Sequence, residues 1–369
     1  MNARPFIVPV FIPHAGCPHR CVFCNQSVIT GQLEKPQEPD EVWASARTFL
    51  RFRRRRPGPA QLAFFGGNFL GLPFDQLRRL LDTASKWVSD FHLDGIRFST
   101  RPDTVQPATL ELIGAYPVKC VELGVQSMDD DVLRQSRRGH TAADTDAAVR
   151  RLKERRYTTG IQLMVGLPGD GEAGLLETGR RVAELGPAFV RIYPTLVLEG
   201  SPLANWYRNG RYHPPSLQQA VELSMKLYRF LRQRRIDVIR TGLQPTKELA
   251  EGRGVIAGPF HPAFGDLVQS ACCLDAIQRE LRCRPLSGPT LELRVHPTGI
   301  SRVRGQRNGN CAALSKEFGF TAVRVVPDTG LGGEMIALED GRLITPYAPQ
   351  HRPADGVSVM AAGKSLPRL

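Results

Sequence analysis

Three cysteines near the start of the chain have the spacing that predicts chemistry most directly. Cys17, Cys21 and Cys24 form a C-x3-C-x2-C pattern just after an apolar stretch that is predicted to be the first strand. Three thiolates at this spacing suit an iron–sulfur cluster that is held by three protein ligands instead of four. The iron without a protein ligand then offers a coordination position to a substrate, as open catalytic metal sites do.

Two other uses of these cysteines stay open at this point. A structural zinc site usually needs a fourth Cys or His from a second pair, and only His14 and His19 lie nearby. A disulfide would leave one thiol unpaired and needs an oxidising compartment. A second cluster is not expected, because the remaining cysteines show no C-x2-C spacing: Cys120, Cys272, Cys273, Cys283 and Cys311.

The cysteine pattern, with Phe23 directly before the last cysteine, resembles the radical S-adenosylmethionine (radical SAM) enzymes. In that superfamily the open iron of a [4Fe–4S] cluster binds the amino and carboxylate groups of SAM. One electron from the reduced cluster breaks a C–S bond of SAM, and the 5′-deoxyadenosyl radical takes a hydrogen atom from a substrate. The resemblance therefore implies a [4Fe–4S] cluster and S-adenosyl-L-methionine as cofactors, and a flavodoxin- or ferredoxin-type electron donor.

The elements that must position the cysteines alternate between strand-like and helix-like segments. Apolar residues at helical spacing separate the strand-like runs, which predicts a parallel sheet with outer helices. Six such units are too few for a closed eight-stranded barrel. We therefore expect an α/β fold, a partial (βα)6 barrel of the radical SAM type in residues 1–240. The predicted strands are 6–12, 61–65, 96–99, 120–125, 161–165 and 189–193.

The ends of the predicted strands carry the candidates for holding SAM, because ligands of parallel sheets bind at the carboxyl ends of the strands. Gly66, Gly67 and Asn68 end strand two and resemble the glycine-rich motif that binds the methionyl amino group in radical SAM enzymes. Glu122 and Gln126 lie four residues apart and so share one face of strand four. The full cofactor-binding set is Phe23, Gly66, Gly67, Asn68, Ser99, Arg101, Glu122, Gln126, Arg138 and Gln162.

A narrower resemblance covers residues 11–212. The stretches 124–127, 138–141 and 192–201 are similar to those of the catalytic subunit of Elongator and, more distantly, of the oxygen-independent coproporphyrinogen oxidases. By this resemblance Gln126, Arg138 and Gln162 surround the ribose, carboxylate and adenine of SAM.

Two residues depart from the porphyrin enzymes. Ser99 stands where those enzymes carry a glutamate, and Gln162 stands where they carry an aspartate. Ser99 and Arg101 fit the Elongator type better. The Elongator subunit modifies the wobble uridine of tRNA and has an acetyltransferase domain, for which we expect no room in this chain.

Three further parts are predicted after the barrel. Residues 241–285 form a connector that is expected to pack on the barrel mouth, residues 286–345 form a small α/β domain, and residues 346–369 form a tail.

The small domain resembles a KH domain. It is predicted to run strand, helix, turn, helix, strand, strand, with the turn at 305–308. In KH domains a loop between two helices clamps nucleotide phosphates. The alternative is a small cap that only closes the barrel. The resemblance implies nucleic-acid contacts from Arg302, Arg304, Gly305 and Arg307.

The chain is strongly basic. It has 49 Lys and Arg against 36 Asp and Glu, a formal net charge of +13 and a pI of about 9.7. Such a field favours polyanionic partners. Arginines are densest at 51–56, the predicted end of the first helix, where cations also complement the helix dipole.

These observations favour a radical SAM enzyme that acts on an RNA base, with tRNA or another RNA as partner. Two alternatives stay open: a radical SAM oxidoreductase acting on a porphyrin-like small molecule, and a non-catalytic iron–sulfur RNA-binding protein. No signal peptide or membrane span is apparent in the sequence, so we expect a cytoplasmic protein without a membrane partner.

Overall fold

The computed structural model describes residues 5–12, 14–18, 20–30, 39–53, 58–243, 249 and 251–347. Within them, seven parallel strands lie side by side in the order in which the chain forms them. Two short strands, the seventh and ninth along the chain, pair with each other outside this sheet. The strands are β1 (Phe6–Phe11), β2 (Ala60–Phe65), β3 (Gly95–Thr100), β4 (Val118–Gln126), β5 (Thr158–Val165), β6 (Phe189–Pro194), β7 (Val197–Leu198), β8 (Asp237–Thr241) and β9 (Val255–Ala257).

The sheet confirms the predicted fold class and adds one strand to it. Strands β1 to β6 match the six predicted strands, and β8 pairs in parallel with β6 as a seventh. Within the described residues β1 and β8 form the two edges and do not pair with each other, so the barrel is open. The sequence DVIRT of β8 is short and carries a charge near each end, which is why it lacks the apolar run that identifies the other strands.

The two faces of the sheet differ in character, because alternate residues of a strand point to opposite sides. The face we call the inner face carries Arg97, Ser99, Glu122, Gln162 and Arg191 at the alternate positions. Strands of parallel sheets are usually apolar on both faces, so these side chains mark the inner face as a place for chemistry. The outer face packs against the helices in the main core through Val8, Leu62, Phe64, Ile96, Phe98, Val121, Leu123, Ile161, Leu163, Val190 and Ile192.

Helices cover the outer face and connect the strands. Capping boxes at Thr141 and Ser216 fix where two of them begin, since each side chain satisfies a free backbone N–H. None of the described helices combines the length and the apolar character that a membrane-spanning segment needs. The helices are α1 (Gln26–Thr30), α2 (Pro39–Arg53), α3 (Phe74–Asp90), α4 (Pro107–Gly114), α5 (Asp130–Gln135), α6 (Ala142–Glu154), α7 (Glu172–Leu185), α8 (Pro202–Arg208) and α9 (Leu217–Gln233).

The arginine-rich run predicted at the end of the first helix lies only partly within the described residues. Arg51 and Phe52 are exposed in the last turn of α2, and residues 54–56 fall outside the described residues.

The segment treated as a connector in the sequence contains a helix, α10 (Phe264–Cys283). Its first half joins the main core through Phe264, Val268 and Cys272. Its second half joins a separate core through Cys273, Ile277 and Leu281. The preceding residues run past the carboxyl end of the sheet, where a Cβ at Gly258 would lie 3.1 Å from the Thr195 carbonyl oxygen.

The second core belongs to a small α/β domain whose elements follow the predicted order. Its sheet has the strand order β11-β10-β12-β13. The first two strands along the chain pair in parallel and the later ones antiparallel. The elements are β10 (Thr290–Val295), α11 (Ile300–Arg304), α12 (Gly309–Phe318), β11 (Ala322–Pro327), β12 (Ile336–Leu338) and β13 (Leu343–Ile344). Most of the predicted tail, residues 348–369, lies outside the described residues.

A buried amide joins the small domain to α10. The Asn310 side chain is buried, and its Nδ2 atom lies 3.0 Å from both the carbonyl oxygen and Oγ of Ser270. The same atom donates to the carbonyl oxygens of Arg302 and Val303 at 3.2 and 3.1 Å, which caps α11.

We expect Asn310→Ala to lower the free energy of unfolding by about 1–3 kcal/mol, because it leaves buried carbonyl groups without a donor. Denaturant unfolding monitored by circular dichroism measures this change. Asn205→Ala, at an exposed helical position, is the matched control and should change stability by less than about 0.5 kcal/mol. Equal effects of the two substitutions would contradict the linking role of Asn310.

Candidate functional site

The three cysteines lie on one loop between β1 and α1. Backbone hydrogen bonds shape this loop: the N–H of Cys17 donates to the His14 carbonyl at 3.2 Å, and that of Cys24 to the Cys21 carbonyl at 3.1 Å. Val22, which is fully buried, joins the loop to its neighbours through donation to Ser136 O at 3.1 Å. The conformation of the loop is therefore fixed by its own turns and by its contact with the residue after α5.

The cysteine loop crosses the turn after β2 at very short range, and glycines make this possible. A Cβ at Gly67 would lie 2.3 Å from the Ala15 carbonyl oxygen, and one at Gly16 would lie 2.2 Å from the Asn68 carbonyl oxygen. Both glycines also have positive φ, at 63° and 70°. At these two positions the absence of a side chain allows the loop to pack directly on the turn. The Gly67 N–H donates to Gln26 Oε1 at 2.8 Å.

Asn68 fastens this contact and has no exposed surface. Its Nδ2 donates to the Gly16 carbonyl at 2.9 Å, while its Oδ1 accepts from Thr100 Oγ1 at 2.7 Å and from the Arg101 N–H at 2.9 Å. The sequence suggested that Asn68 contacts SAM. Because the residue is fully buried and bonded to protein groups, it positions the loop against the turn, and its contact with SAM stays a prediction.

Burial disfavours the thiolate forms of two of the cysteines. Burial first, and then the neighbouring thiols, raises the pKa of Cys24 to about 12. The pKa of Cys17 is raised by burial and by Cys21, and the positive charges of Arg138 and Arg101 oppose this rise. Cys17 and Cys24 thus both have thiol neighbours, and the positive charge of Arg138 favours the ionised form of each.

The Arg138 side chain contacts the cysteine loop directly. It follows α5 and is buried, and its Nη1 donates to Cys21 Sγ at 3.0 Å. Its Nη2 donates to the carbonyl oxygen of Gly124, near the end of β4. Burial and the charges of Arg138 and Arg101 lower the pKa of the adjacent His140 to about 3, so this imidazole is neutral at physiological pH.

Two of the predicted SAM contacts, Gln126 and Gln162, meet on neighbouring strands. Gln162 Nε2 donates to Gln126 Oε1 at 3.1 Å. The register of β4 against β5 shifts between Gly124 and Gln126, and Gln126 has a positive φ of 74°. The bulge turns the Gln126 amide toward Gln162.

Glu122 lies apart from this pair and is held by two arginines. Its carboxylate contacts Arg97 Nε at 2.5 Å and Arg191 Nε at 2.7 Å. The predicted inward orientation of Glu122 is present, and the two partners satisfy the charge. Ser99 lies beside Glu122 in the register of β3 and β4. Phe23 and Tyr193 both pack against the small buried cluster of Val132, Met164 and Leu167.

The donor set fits an iron–sulfur cluster. Cys17, Cys21 and Cys24 are free thiols, and Arg101 Nη1 and Arg138 Nε are buried without a hydrogen-bond partner among the described residues. Cationic donors beside thiolates suit an anionic cluster and a ligand carboxylate. No three His, Cys, Asp or Glu side chains in the described part of the chain are placed to hold one metal ion; in a [4Fe–4S] cube each thiolate binds a different iron.

Two of the four predicted nucleic-acid residues, Arg302 and Arg304, line cavities, and each lines a different one. Arg304 lines one of about 440 Å³ together with Asn308 and Arg324. Arg302 lines another of about 340 Å³, between the small domain and β8. A Cβ at Gly305 would lie 2.7 Å from Asn310 Oδ1, so this glycine is required by packing.

Four site residues escaped the sequence analysis: Gln26, Arg97, Arg191 and Arg324. Arg97 and Arg191 had a usable signal, because each interrupts an otherwise apolar strand core, in IRF and VRI. Gln26 and Arg324 gave no such signal in the sequence, because polar residues are common in short helices and on exposed edge strands.

The sequence model of the Radical SAM superfamily matches residues 11–182, and that of the Radical_SAM C-terminal domain matches residues 187–272. The tRNA uridine(34) acetyltransferase of Dehalococcoides mccartyi is 26% identical over 230 residues, covering 54% of this chain and 50% of that protein. Elongator complex protein 3 of Homo sapiens is 27% identical over 261 residues, covering 58% and 47%. The chain thus spans about half the length of these relatives.

A solved structure of the archaeal Methanocaldococcus infernus Elp3 with an N-terminal deletion has a TM-score of 0.57 at 16% identity. The superposition covers 92% of this chain and 74% of that one. At this identity the likeness shows a shared fold. Because the two sequence matches run from residue 11 to residue 272 and take in the cysteine loop and most of the sheet, the chain belongs to the radical SAM superfamily, whose members are enzymes that use a [4Fe–4S] cluster and SAM.

Proposed function

We propose that this radical SAM enzyme modifies a base in RNA, and that tRNA is its substrate class. The observation that carries the proposal is the cavity of about 440 Å³ beside the loop at 305–308 in the small domain. The names of the relatives, a tRNA uridine(34) acetyltransferase and an Elongator subunit, agree with an RNA substrate. The net charge of +13 favours the same class of partner.

The cavity combines the features that single-stranded RNA requires. Arg304 and Arg324 supply positive charge, while Val323, Val325 and Cys311 supply apolar surface for a base. The strand that lines it, β11, is an edge of its sheet, and Arg304 Nη2 donates to the Val325 carbonyl oxygen of this strand at 3.1 Å. Arg307 is exposed in the adjoining loop.

The cofactors would bind in the barrel, on the cysteine loop and the strand ends beside it. Cys17, Cys21 and Cys24 would bind three irons of the cluster. When bound, the cluster and SAM supply a carbon radical that abstracts a hydrogen atom. Arg138 would offset negative charge at the Cys21 sulfur and face the carboxylate of SAM, because its guanidinium already lies 3.0 Å from that sulfur.

The remaining contacts of SAM are proposed along the strand ends. The amide pair Gln126 and Gln162 would contact the nucleoside part, and Gly66 the methionyl amino group. The electron would come from a flavodoxin- or ferredoxin-type donor, as for other radical SAM enzymes.

We expect anaerobically reconstituted, dithionite-reduced protein to release 5′-deoxyadenosine from SAM, and bulk tRNA to stimulate this release. Chromatography of the quenched reaction measures the product. A Cys24→Ala variant is the blank, because it lacks one cluster ligand. Release that tRNA does not change would contradict the RNA substrate and indicate a small molecule, whereas release no higher than the blank would contradict the radical chemistry.

Arg138→Ala should weaken SAM binding to the reconstituted protein, and Ser99→Ala should have a mild effect. Arg138 is buried and hydrogen-bonded to Cys21 and Gly124, while Ser99 is only partly buried. Equilibrium dialysis with labelled SAM under anaerobic conditions measures both variants, after their iron content is shown to equal that of the wild type. The opposite ranking would refute the proposed pocket.

Arg307→Glu should weaken RNA binding and lower the slope of log affinity against log salt concentration by about one unit, the loss of about one phosphate contact. Lys316→Glu, the same charge change at an exposed position at the other end of α12, is the matched control. Fluorescence anisotropy with labelled tRNA at several salt concentrations measures the slope. Equal slopes for the two variants would contradict phosphate binding by the loop.

A further inference from the structure

Three charged side chains form a buried cluster on the inner face of the sheet, which we call the inner-face triad: Arg97, Glu122 and Arg191. They come from β3, β4 and β6, so the cluster spans the middle of the sheet. Glu122 lies four residues before the last residue of β4. The triad is therefore below the strand ends that carry the cysteine loop and the glycine turn.

The triad carries an uncompensated positive charge. Its two guanidinium groups contribute two positive charges and its carboxylate one negative charge, which leaves one positive charge. The neighbouring Cys120 is a neutral thiol, because burial raises its pKa to about 12. The Tyr193 hydroxyl accepts a hydrogen bond from Arg191 Nη1 at 3.2 Å.

An unused donor accompanies this charge. Arg97 is 5% exposed, and its Nη2 atom is buried without a hydrogen-bond partner among the described residues. A buried cationic donor without a hydrogen-bond partner is unfavourable, because its lost hydration is not replaced. In an ion pair with a purely structural role, one arginine is enough to balance the charge of one carboxylate. The second arginine and the free donor call for an anion that the described residues do not supply.

We propose that the inner-face triad binds the carboxylate group of a substrate or co-substrate. A carboxylate carries one negative charge at neutral pH, which equals the excess charge of the triad, and it accepts paired N–H groups from a guanidinium. Arg191 provides the accessible side, since its side chain is 15% exposed and those of Arg97 and Glu122 are 6% exposed.

The surroundings also favour a flat group. The Arg97 guanidinium lies 4.6 Å from the centre of the Phe189 ring, and the Arg191 guanidinium lies 5.6 Å from that of Phe65. With rings beside the guanidinium planes, a planar ligand would meet these groups at their edges, where Glu122 and Tyr193 already accept some of the N–H groups. An RNA phosphate is a poor candidate, because a nucleotide that enters a pocket from the strand ends presents its base first and keeps its backbone outside.

The carboxylate has two possible sources with one chemistry: a free small carboxylic acid, or a nucleoside whose base carries a carboxylate. The inference rests on the proposed function only in placing the triad below SAM. Its test measures binding to the full chain without SAM cleavage. Failure of the radical chemistry would therefore leave this result unchanged, and failure here would leave the radical chemistry unchanged.

The test is the thermal shift of the full-length protein with acetate, propionate or succinate against chloride and phosphate at equal ionic strength. We expect the carboxylates to raise the melting temperature in a saturable manner and the other anions to have little effect. In a second arm, a pyrimidine nucleoside with a carboxylate on its base is compared with the same nucleoside without it. A shift with the acids alone assigns the free acid, and a shift with the carboxylated nucleoside that exceeds theirs assigns the base.

Two substitutions at the triad should change the affinity in opposite directions. Arg191→Gln should weaken carboxylate binding by about tenfold or more through the loss of a charge-assisted pair. Glu122→Gln should strengthen it, because it raises the net charge of the cluster from one to two. Arg180→Gln, which removes an exposed arginine that is paired on α7, is the matched control and should leave the affinity unchanged.

A purely structural triad gives a different pattern. It predicts that Arg191→Gln and Glu122→Gln both destabilise the protein and that neither changes a carboxylate-dependent shift. Arg191→Lys, which keeps the charge, separates folding from binding if Arg191→Gln does not fold, and it should retain part of the shift. The absence of a carboxylate-specific shift in the wild type, or an equal shift in wild type and in the folded Arg191 variant, would overturn the proposal.

Discussion

The site depends on one close contact, that between the backbone of the cysteine loop and the turn after β2. The contact requires glycine at positions 16 and 67 and is fastened by the buried amide of Asn68. The same amide accepts the N–H of Arg101 and the hydroxyl of Thr100 at the end of β3. One side chain thus sets the relative positions of the loop, the glycine turn and β3. A cluster that binds here meets ligands whose positions are already restricted, which lowers the entropy lost on binding.

Positive charge is arranged at two levels of the inner face. Arg101 and Arg138 act on the thiols at the strand ends, and Arg97 and Arg191 surround Glu122 further down. Burial strengthens the interaction of each of these charges with its neighbours, because the surrounding medium screens them weakly. The upper pair suits an anionic cluster and the carboxylate of SAM. The lower pair lies further from the strand ends, where we propose that it binds the carboxylate of another molecule.

The sequence predicted what depends on local pattern. The cysteine spacing, the six apolar strands and the inward direction of Glu122 all follow from residues close together in the chain. The partners of Glu122 did not, because Arg97 and Arg191 are 25 and 69 residues away and meet it only through the strand register. The burial of Asn68 could not be predicted for the same reason, because it results from the loop that packs on it. The edge strand β8 and the helix α10 carry mixed polar and apolar residues, so their periodicity was too weak to identify.

The position of the small domain relative to the barrel follows from the way α10 is shared. One helix contributes Phe264 and Val268 to the main core, and Ile277 and Leu281 to the second core. Because a helix is stiff, the orientation of the second core follows that of the first. The ion pair of Arg232 with Glu334, at 3.0 Å, adds a second link between the two parts. An RNA held at the loop 305–308 would therefore reach the strand ends across a distance that the protein sets. Substrate choice would then depend on how far the reactive base lies from the bound phosphates as well as on the base itself.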